Sequence, residues 1–210
     1  SLAKTTKTLF NNKVIQPIQH TLVQECTSKS FDTININDVA TNIRSNVQGN
    51  ELANALEIII VGNIHTEVID TLTERGLSKF LKLVNYIPHH QAIKMMQDST
   101  VLLFIVPNVA GNSGIVTGKL FDYLAAFRPL LAIGPPTGDA AKILYKTKAG
   151  EMIDPSDTDG LRKRINDLFR LWKIDKLSTA VPEKTLINQF ERKQLSGTLS
   201  EIILNRINSK

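Results

Sequence analysis

The chain has a single cysteine and no long apolar run. Cys26 is alone among 210 residues, which rules out an internal disulfide framework and is typical of a reducing compartment. No stretch approaches the roughly 18 apolar residues of a membrane-spanning helix. No signal peptide, internal repeat or low-complexity tract is visible in these residues. We therefore expect a cytoplasmic protein, and its 42% hydrophobic residues are enough to bury a core.

Several sequence motifs of catalysis are missing as well. The nearest match to a phosphate-binding P-loop has one residue too few between Gly114 and Gly118, and Leu120 stands in place of the magnesium-binding hydroxyl. Neither the Gly-x-Ser-x-Gly nucleophile elbow nor the Gly-x-Gly-x-x-Gly dinucleotide fingerprint occurs. These absences argue against a P-loop nucleotide hydrolase, a nucleophilic hydrolase and a dinucleotide-dependent enzyme.

The histidines do not predict a metal centre. His89 and His90 are adjacent, but His20 and His65 stand at no ligand spacing from cysteine, aspartate or glutamate. A structural or solvent-exposed role is the simpler interpretation of all four. We predict no metal ligands and no resident cofactor.

The charge of the chain is mildly basic and scattered. The formal net charge is +5 and the pI is about 9.3, which is compatible with an anionic ligand, an anionic membrane face or nucleic acid. Because no lysine and arginine run with interleaved aromatics occurs, nucleic-acid binding is not predicted. Peripheral contact of the full-length protein with the inner face of a membrane stays open.

From residue 56 onward, apolar runs alternate with segments of helical periodicity. The predicted strands are 56–61, 80–84, 101–106, 130–133 and 151–153, and the predicted helices carry 66–75, 91–97, 120–127, 139–146, 161–172 and 191–208. Strands that alternate with helices at this spacing predict βαβ units with helices on both faces of the sheet. The predicted fold class is therefore α/β, a Rossmann-like parallel sheet sandwiched by helices.

The first 55 residues are less regular. Residues 1–26 predict a helix with a kink at Pro17. Residues 27–50 are polar and asparagine-rich, with a short exposed strand predicted at 33–37. We expect one domain in which 1–55 form an N-terminal helix and an irregular or inserted segment, 56–182 form the core, and 183–210 form C-terminal helices that pack back on it.

Four turns follow predicted strands and should meet at one edge of the sheet. They are Gly62-Asn63, Pro88-His89, the loop 112–119 and the glycine loop 134–139. Ligands of open α/β sheets bind beyond the carboxyl ends of the strands. These turns are therefore predicted to line a common crevice.

The segment 112–127 carries the strongest chemical signal. Gly114 and Gly118 allow a ligand to approach the backbone, and the start of the following helix, with Lys119 in its first turn, suits an anion such as phosphate. Asp122 lies one turn further in, where a carboxylate can accept hydrogen bonds from sugar hydroxyls. On local chemistry alone, an ordinary loop entering a core helix with a solvated lysine is the simpler interpretation of the segment, because glycine loops before helices are common in α/β folds.

A longer pattern resembles a known family. The runs that carry it are Tyr86-Ile-Pro-His-His-Gln-Ala-Ile and Gly114-Ile-Val-Thr-Gly-Lys-Leu-Phe-Asp-Tyr-Leu-Ala-Ala-Phe-Arg-Pro-Leu-Leu-Ala-Ile-Gly, followed in order by Gly138-Asp-Ala-Ala-Lys-Ile-Leu and Phe190-Glu-Arg-Lys-Gln-Leu. From about residue 56 to the end, the chain resembles the C-terminal, donor-binding half of family-4-like (group 1) glycosyltransferases, which have the GT-B fold. The resemblance is weak before residue 50.

The resemblance assigns roles to residues by position. It implies that Asp122 binds the donor ribose hydroxyls, although relatives carry the longer glutamate there, and that Gly114 replaces a second acidic residue found in many of them. The resemblance implies three parts of a donor-binding set: the turn beside the base, Ile87, Pro88 and His89; the loop facing the sugar, Ser113, Gly114, Ile115 and Val116; and the diphosphate segment with its acid, Thr117, Gly118, Lys119, Leu120 and Asp122. Gly62 and Asn63 join the predicted set because their turn follows the strand predicted at 56–61.

The resemblance also implies partners and an activity. We expect a nucleotide-sugar donor, UDP- or GDP-linked, bound without a metal, and an N-terminal acceptor-binding domain outside this chain. The first strand of the present domain is also expected to lie outside it. The hypothesis is the donor-binding domain of a glycosyltransferase acting on a glycan or lipid-linked acceptor, inactive when isolated. A GT-B-like nucleotide-sugar epimerase and a non-enzymatic α/β interaction module stay open.

Overall fold

A computed structural model of the chain describes residues 18–23, 40–41, 43–45, 51–107 and 109–208. Within these residues, six strands form one sheet in the order β3-β2-β1-β4-β5-β6, and every neighbouring pair is parallel. The strands are β1 (Ile18–Val23), β2 (Leu56–Val61), β3 (Leu81–Val84), β4 (Val101–Ile105), β5 (Leu130–Ile133) and β6 (Met152–Ile153). This order reverses between β1 and β4, as in a doubly wound nucleotide-binding sheet.

Helices connect the strands and cover both faces of the sheet. They are α1 (Leu52–Ala55), α2 (Thr66–Glu74), α3 (His89–Asp98), α4 (Gly118–Ala125), α5 (Asp139–Lys146), α6 (Thr158–Lys173), α7 (Lys184–Ile187) and α8 (Arg192–Asn208). Short 3-10 turns lie at Ser78–Phe80, Asn112–Gly114, Leu177–Ala180 and Asn188–Phe190. The α/β class and the parallel sheet predicted from the alternating pattern are confirmed.

The alternation of side chains along β2 divides the core into two layers. Leu56, Ile58 and Ile60 belong to one apolar cluster, with buried residues of α1, α2 and α6. Ile59 and Val61 belong to the other, with buried residues of α3, α4 and α5. Since β2 is buried on both faces, it contains the continuous β-branched run 58–61, as is typical of a parallel strand.

The helix predicted over residues 1–26 is wrong where the structure describes it. Residues 18–23 are β1, which pairs with β2 from Ile18–Leu56 to Val23–Val61 and with β4 through His20 and Thr21. Without β1, two buried strands would each leave a row of backbone amides and carbonyls without partners, and that demand outweighs weak helical periodicity. The expectation that the first strand of the domain lies outside this chain is corrected by the same pairing.

Two further expectations concern the less regular segments. The exposed strand predicted at 33–37 lies outside the described residues, and 40–41 and 43–45 are helical. At the C-terminus the phenyl rings of Phe121 and Phe190 are in contact, with centroids 5.4 Å apart. Beyond Phe190, however, every residue of α8 is exposed, so this helix does not pack back on the described core. The three segment boundaries remain predictions.

Candidate functional site

A cavity of about 250 Å³ opens where β2 ends and where α3 and α4 begin. Its lining residues are Val61, Gly62, Tyr86, Ile87, His89, Ala92, Met96, Gly118, Lys119 and Asp122. The cavity thus lies at the carboxyl edge of the parallel sheet, where the turns were predicted to meet. Its volume is slightly below the roughly 300–1,000 Å³ of typical ligand pockets.

Helix α4 is fixed by one face and offers another to the cavity. Leu120, Tyr123 and Leu124 are fully buried against the sheet, and their spacing of three and four residues places them on one side of the helix. The rings of Tyr123 and Phe104 of β4 pack in a T-shaped arrangement, with centroids 6.3 Å apart. These contacts leave Gly118, Lys119 and Asp122 on the side that lines the cavity.

The start of α3 points to the same space. Pro88 precedes the helix, and its carbonyl accepts hydrogen bonds from the amides of Gln91 at 2.9 Å and Ala92 at 3.1 Å. His89, Ala92 and Met96 line the cavity at positions one, four and eight of this helix. Helix α3 therefore lines the cavity along one side from its first residue, and α4 lines it with its first residue, Gly118, and with Lys119 and Asp122.

The charged side chains of the lining favour an anion beside hydroxyl groups. Lys119 supplies a positive charge next to the α4 N-terminus, and Asp122 is one helical turn further along. Of the residues that line this cavity, Asp122 is the one with a carboxylate side chain. A phosphate near Lys119 and a sugar hydroxyl near Asp122 would each meet a group of suitable charge.

The loop before α4, whose residues 113–116 were predicted to face the donor sugar, lies outside the lining of the cavity. The 3-10 turn Asn112–Gly114 follows Gly111, whose φ of 78° is left-handed. The side-chain amide of Asn112 donates to the carbonyl oxygen of Pro107 at 3.1 Å. The glycine loop 134–139, which was predicted to line the crevice, instead packs behind this turn at Ser113.

The predicted site residues therefore fall into two groups. Six of them line the cavity together: Gly62, Ile87, His89, Gly118, Lys119 and Asp122. Eight others lie outside its lining: Asn63, Pro88, Ser113, Gly114, Ile115, Val116, Thr117 and Leu120. The Leu120 side chain is buried and its amide donates to the Thr117 carbonyl at 3.1 Å, so Leu120 anchors the helix. The ligand contacts of both groups remain predictions.

Sequence reasoning missed four lining residues: Val61, Tyr86, Ala92 and Met96. Three of them are apolar and also belong to the core cluster on this face of the sheet, so no sequence signal separates them from ordinary core. Tyr86 is different, since it is 63% exposed. An exposed aromatic directly before the turn at Ile87 is a signal that could have been read as a stacking surface.

The part of the chain that the structure describes contains no cluster of three or more histidine, cysteine, aspartate or glutamate residues suited to a metal ion. Its one Asp-x-Asp sequence after residue 150 begins α6. There Asp157 accepts a hydrogen bond from the Gly160 amide at 2.9 Å, and Asp159 pairs with Arg162. None of the described helices has the length and hydropathy needed to cross a membrane.

Comparison with solved structures shows the same fold in glycosyltransferases. TarM from S. aureus, solved as a mutant with UDP, superposes with a TM-score of 0.60 at 13% identity over 91% of this chain. Sucrose-phosphate synthase from Thermosynechococcus elongatus gives 0.63 at 12% identity over 99% of this chain. The pneumococcal O-GlcNAc transferase GtfA, solved with UDP and GlcNAc, gives 0.56 at 10% identity over 90%.

No protein-family model and no curated protein sequence matches this chain. The matched region covers 36% of the TarM chain, 49% of the sucrose-phosphate synthase chain and 36% of the GtfA chain. The chain therefore corresponds to half or less of these proteins, as one domain of a two-domain architecture would. It has the Rossmann-like α/β fold of a domain of GT-B glycosyltransferases, and a C-terminal domain fits this partial coverage.

Proposed function

We propose that this chain is the donor-binding domain of a glycosyltransferase and holds a nucleoside-diphosphate sugar at the cavity between α3 and α4. The observation that carries the proposal is the meeting of Lys119, Asp122 and the first residues of α3 and α4 at one cavity. The diphosphate lies at the start of α4, the ribose at Asp122, and the base beside Ile87 and His89. UDP is the first candidate nucleotide, because TarM and GtfA were both solved with it.

The same groups would assist transfer of the sugar. When the glycosidic bond to the donor phosphate breaks, negative charge grows on the leaving diphosphate. The amides at the start of α4 and the ammonium group of Lys119 stabilise that charge more in the transition state than in the ground state, which lowers the barrier. This stabilisation requires no metal ion, so we propose metal-independent binding.

The energies involved predict weak binding by this chain alone. A helix N-terminus contributes about 0.3–2 kcal/mol to holding an anion, and a hydrogen bond to a charged group contributes about 1.5–3 kcal/mol. Even if both helix ends contribute, their binding free energy together with that of Lys119 and Asp122 falls short of the roughly 8 kcal/mol of a micromolar complex once association entropy is subtracted. A second domain that binds a glycan or lipid-linked acceptor would close the cleft and complete the enzyme.

The test is ligand-observed NMR of this chain with UDP, GDP, ADP and CMP, each with and without EDTA. We expect one nucleoside diphosphate to bind in the submillimolar to millimolar range, insensitive to EDTA. Asp122→Ala should weaken it about 10- to 100-fold, as the loss of a charged hydrogen bond predicts. Asp70→Ala is the matched control, since Asp70 is the fifth residue of α2 as Asp122 is of α4.

Binding that survives Asp122→Ala unchanged would contradict the site assignment. If a nucleotide sugar is converted into its epimer with no acceptor present, the proposed activity is epimerisation and not sugar transfer. If none of the nucleotides binds, the measurement is repeated on the full-length protein, and failure there too would refute the donor-binding function.

A further inference from the structure

We infer that residues 183–190, which we call the C-terminal strap, hold helix α4 in the position that nucleotide binding needs, and that Phe190 is the positioning residue of this strap. The inference rests on the proposed function and concerns the control of that site, not a contact with the ligand. Among the described residues, those of the strap lie outside the cavity lining, but Phe190 packs on the helix that carries Lys119 and Asp122.

The strap is fixed at its start to the end of helix α5. The amide of Glu183 donates to the carbonyl oxygen of Thr147 at 2.9 Å, and the Glu183 carboxylate pairs with the ammonium group of Lys148 at 2.7 Å. Further along the strap, the side chain of Ile187 is buried and belongs to the apolar cluster that contains Leu120 of α4. The strap is therefore a packed segment and not a free tail.

The strap runs antiparallel to α4, towards the cavity. Near its start, the ammonium group of Lys184 lies 6.0 Å from the centre of the Phe127 ring, just beyond the C-terminal end of α4. At the other end of the strap, the rings of Phe190 and Phe121 are in contact, with centroids 5.4 Å apart. Since Phe121 directly precedes Asp122, the contact with Phe190 lies at the end of α4 that lines the cavity.

Helix α4 is supported on two sides and lines the cavity with a third. Successive residues of an α-helix point about 100° apart, so Leu120, Phe121 and Asp122 point in three different directions. Leu120 is fully buried, Phe121 meets Phe190, and Asp122 lines the cavity. Loss of the Phe190 ring would remove the support on one side and allow α4 to turn about its buried face.

The cavity end of α4 has little other support. Within the described residues, the side chain of Thr117 makes no capping hydrogen bond to the helix, and Gly118 has no heavy atom within 4 Å of its Cβ position. Both residues are exposed. A helix end with few buried contacts opens locally at a low cost in free energy. The contact with Phe190 therefore governs how often Lys119 and Asp122 are correctly placed at the cavity.

This control of the site must be reciprocal. If the strap favours the arrangement of α4 that binds the nucleotide, the nucleotide must in turn favour the docked strap, because both effects are one coupling free energy. Bound nucleotide should therefore slow amide hydrogen exchange in residues 183–190, although the strap does not touch it. A phenylalanine that served only to complete the core would show no such response.

The experiment measures nucleotide affinity and Tm for variants of this chain. The probe is UDP, or the one of GDP, ADP and CMP that binds where UDP does not, and the full-length protein is used if this chain alone binds none of them. Phe190→Ala should weaken binding about 3- to 10-fold, as expected of a residue that acts on a site without touching the ligand. Phe190→Tyr keeps the ring and should retain the affinity of the unmodified chain.

Phe169→Ala is the matched control. Phe169 is also half-buried and also packs on an aromatic ring, that of Trp172, with centroids 5.7 Å apart. Both of these residues lie on α6 and pack against the apolar cluster on the other face of the sheet. Phe169→Ala should therefore lower Tm, as Phe190→Ala does, and leave the nucleotide affinity unchanged.

Hydrogen exchange followed by mass spectrometry tests the reciprocal effect. Addition of the nucleotide should slow exchange in residues 183–190 of the unmodified chain and should change it less in Phe190→Ala. If Phe190→Ala does not fold, Phe190→Leu takes its place in both measurements, and exchange in the unmodified chain still decides.

The outcomes separate this inference from the proposed function. A loss of affinity in Phe190→Ala that Phe169→Ala does not share, together with slower exchange in the strap, supports the inference. Unchanged affinity in Phe190→Ala, equal losses in the two variants, or exchange in the strap that does not respond to the nucleotide overturns it and leaves nucleotide binding established. If none of the nucleotides binds this chain or the full-length protein, the proposed function is refuted and the inference with it.

Discussion

Gly134 and Val106 approach each other so closely that a Cβ on Gly134 would lie 2.7 Å from the Cβ of Val106. The two residues directly follow β5 and β4, and the Val106 amide donates to the Ile133 carbonyl at 2.8 Å. The contact joins adjacent strands at the edge that carries the cavity. It fixes the start of the loop 107–117 relative to the glycine loop behind it.

The first prediction concerns Gly134→Ala. The added methyl group would overlap Val106, and forcing an extra carbon into a packed site costs about 1–3 kcal/mol. For a chain of this size, each kcal/mol lowers Tm by roughly 2–4 °C. Thermal unfolding followed by circular dichroism measures the shift.

Gly114→Ala is the control for this substitution, because nothing lies within 4 Å of the Cβ position at Gly114. It should leave Tm unchanged within the error of the measurement. If the two variants melt together, the close approach at Gly134 does not constrain the fold.

The second prediction uses the open space beside Gly118. No heavy atom lies within 4 Å of its Cβ position, and the residue lines the cavity as the first residue of α4. Gly118→Leu should therefore preserve Tm, since leucine is the better helix former. Its side chain would occupy the space assigned to the diphosphate, so nucleotide affinity should fall at least about tenfold, or about 1.4 kcal/mol.

Gly197→Leu is the matched control for Gly118→Leu, as Gly197 also has an open Cβ position, in α8. Titration with the nucleotide should give the same affinity for this variant and the unmodified chain. An unchanged affinity for Gly118→Leu as well would mean that the diphosphate lies elsewhere.

The sequence predicted the positions of some strands of the sheet and missed β1. β4 is a continuous apolar run and β2 is one apart from Glu57, and the positions of both strands follow from burial on both faces. The sequence of β1 is Ile-Gln-His-Thr-Leu-Val. Its polar residues interrupt the apolar run by which a buried strand is predicted. It is a strand because β2 and β4 both need a partner between them, and such a pairing between distant segments leaves no local pattern.

The site was predictable to a similar degree. Lys119 and Asp122 could be placed on one helix face by their spacing, and the turn at Ile87 by its position after a strand. The close approach of Gly138 to the backbone oxygen of Ser113 could not be predicted, because it depends on how two loops pack. In α8, periodicity predicted an apolar stripe at Leu195, Leu199 and Ile202, but their exposure of 54–61% could not be read from spacing.

The third prediction assigns the nucleobase to Tyr86. This side chain is 63% exposed and lines the cavity beside Ile87. Stacking of a base on an aromatic ring contributes about 1–3 kcal/mol as judged by alanine substitution. Tyr86→Ala should therefore weaken nucleotide binding about 5- to 150-fold, whereas Tyr86→Phe should retain it, as measured by ligand-observed NMR.

Two controls define the origin of that effect. Tyr145→Ala removes a tyrosine that is 81% exposed on α5 and does not line the cavity, so the affinity should not change. Inorganic pyrophosphate has no base to stack, and its binding should be insensitive to Tyr86→Ala. Equal weakening of pyrophosphate and nucleotide would place Tyr86 at the phosphates instead of at the base.

The fourth prediction concerns acid and the ion pair between Lys148 and Glu183, whose Nζ and Oε2 atoms are 2.7 Å apart. The hydrogen bond from Lys148 lowers the pKa of the Glu183 carboxyl, and Thr185 lowers it further. A carboxyl whose folded pKa lies below its unfolded value stabilises the fold above the unfolded value, about pH 4.3, and loses that contribution as the pH falls through the folded value. Tm of the unmodified chain, Lys148→Gln, Glu183→Gln and the double variant should give a favourable coupling at pH 7 that declines as the pH falls through the folded value and the carboxyl takes up its proton. Residue 148 has a φ of 53°, and glutamine has a Cβ as lysine does, so the cost of this backbone conformation is the same in all four proteins and cancels in the double-mutant cycle. A coupling that persisted in acid would show that packing, and not charge, links the two side chains.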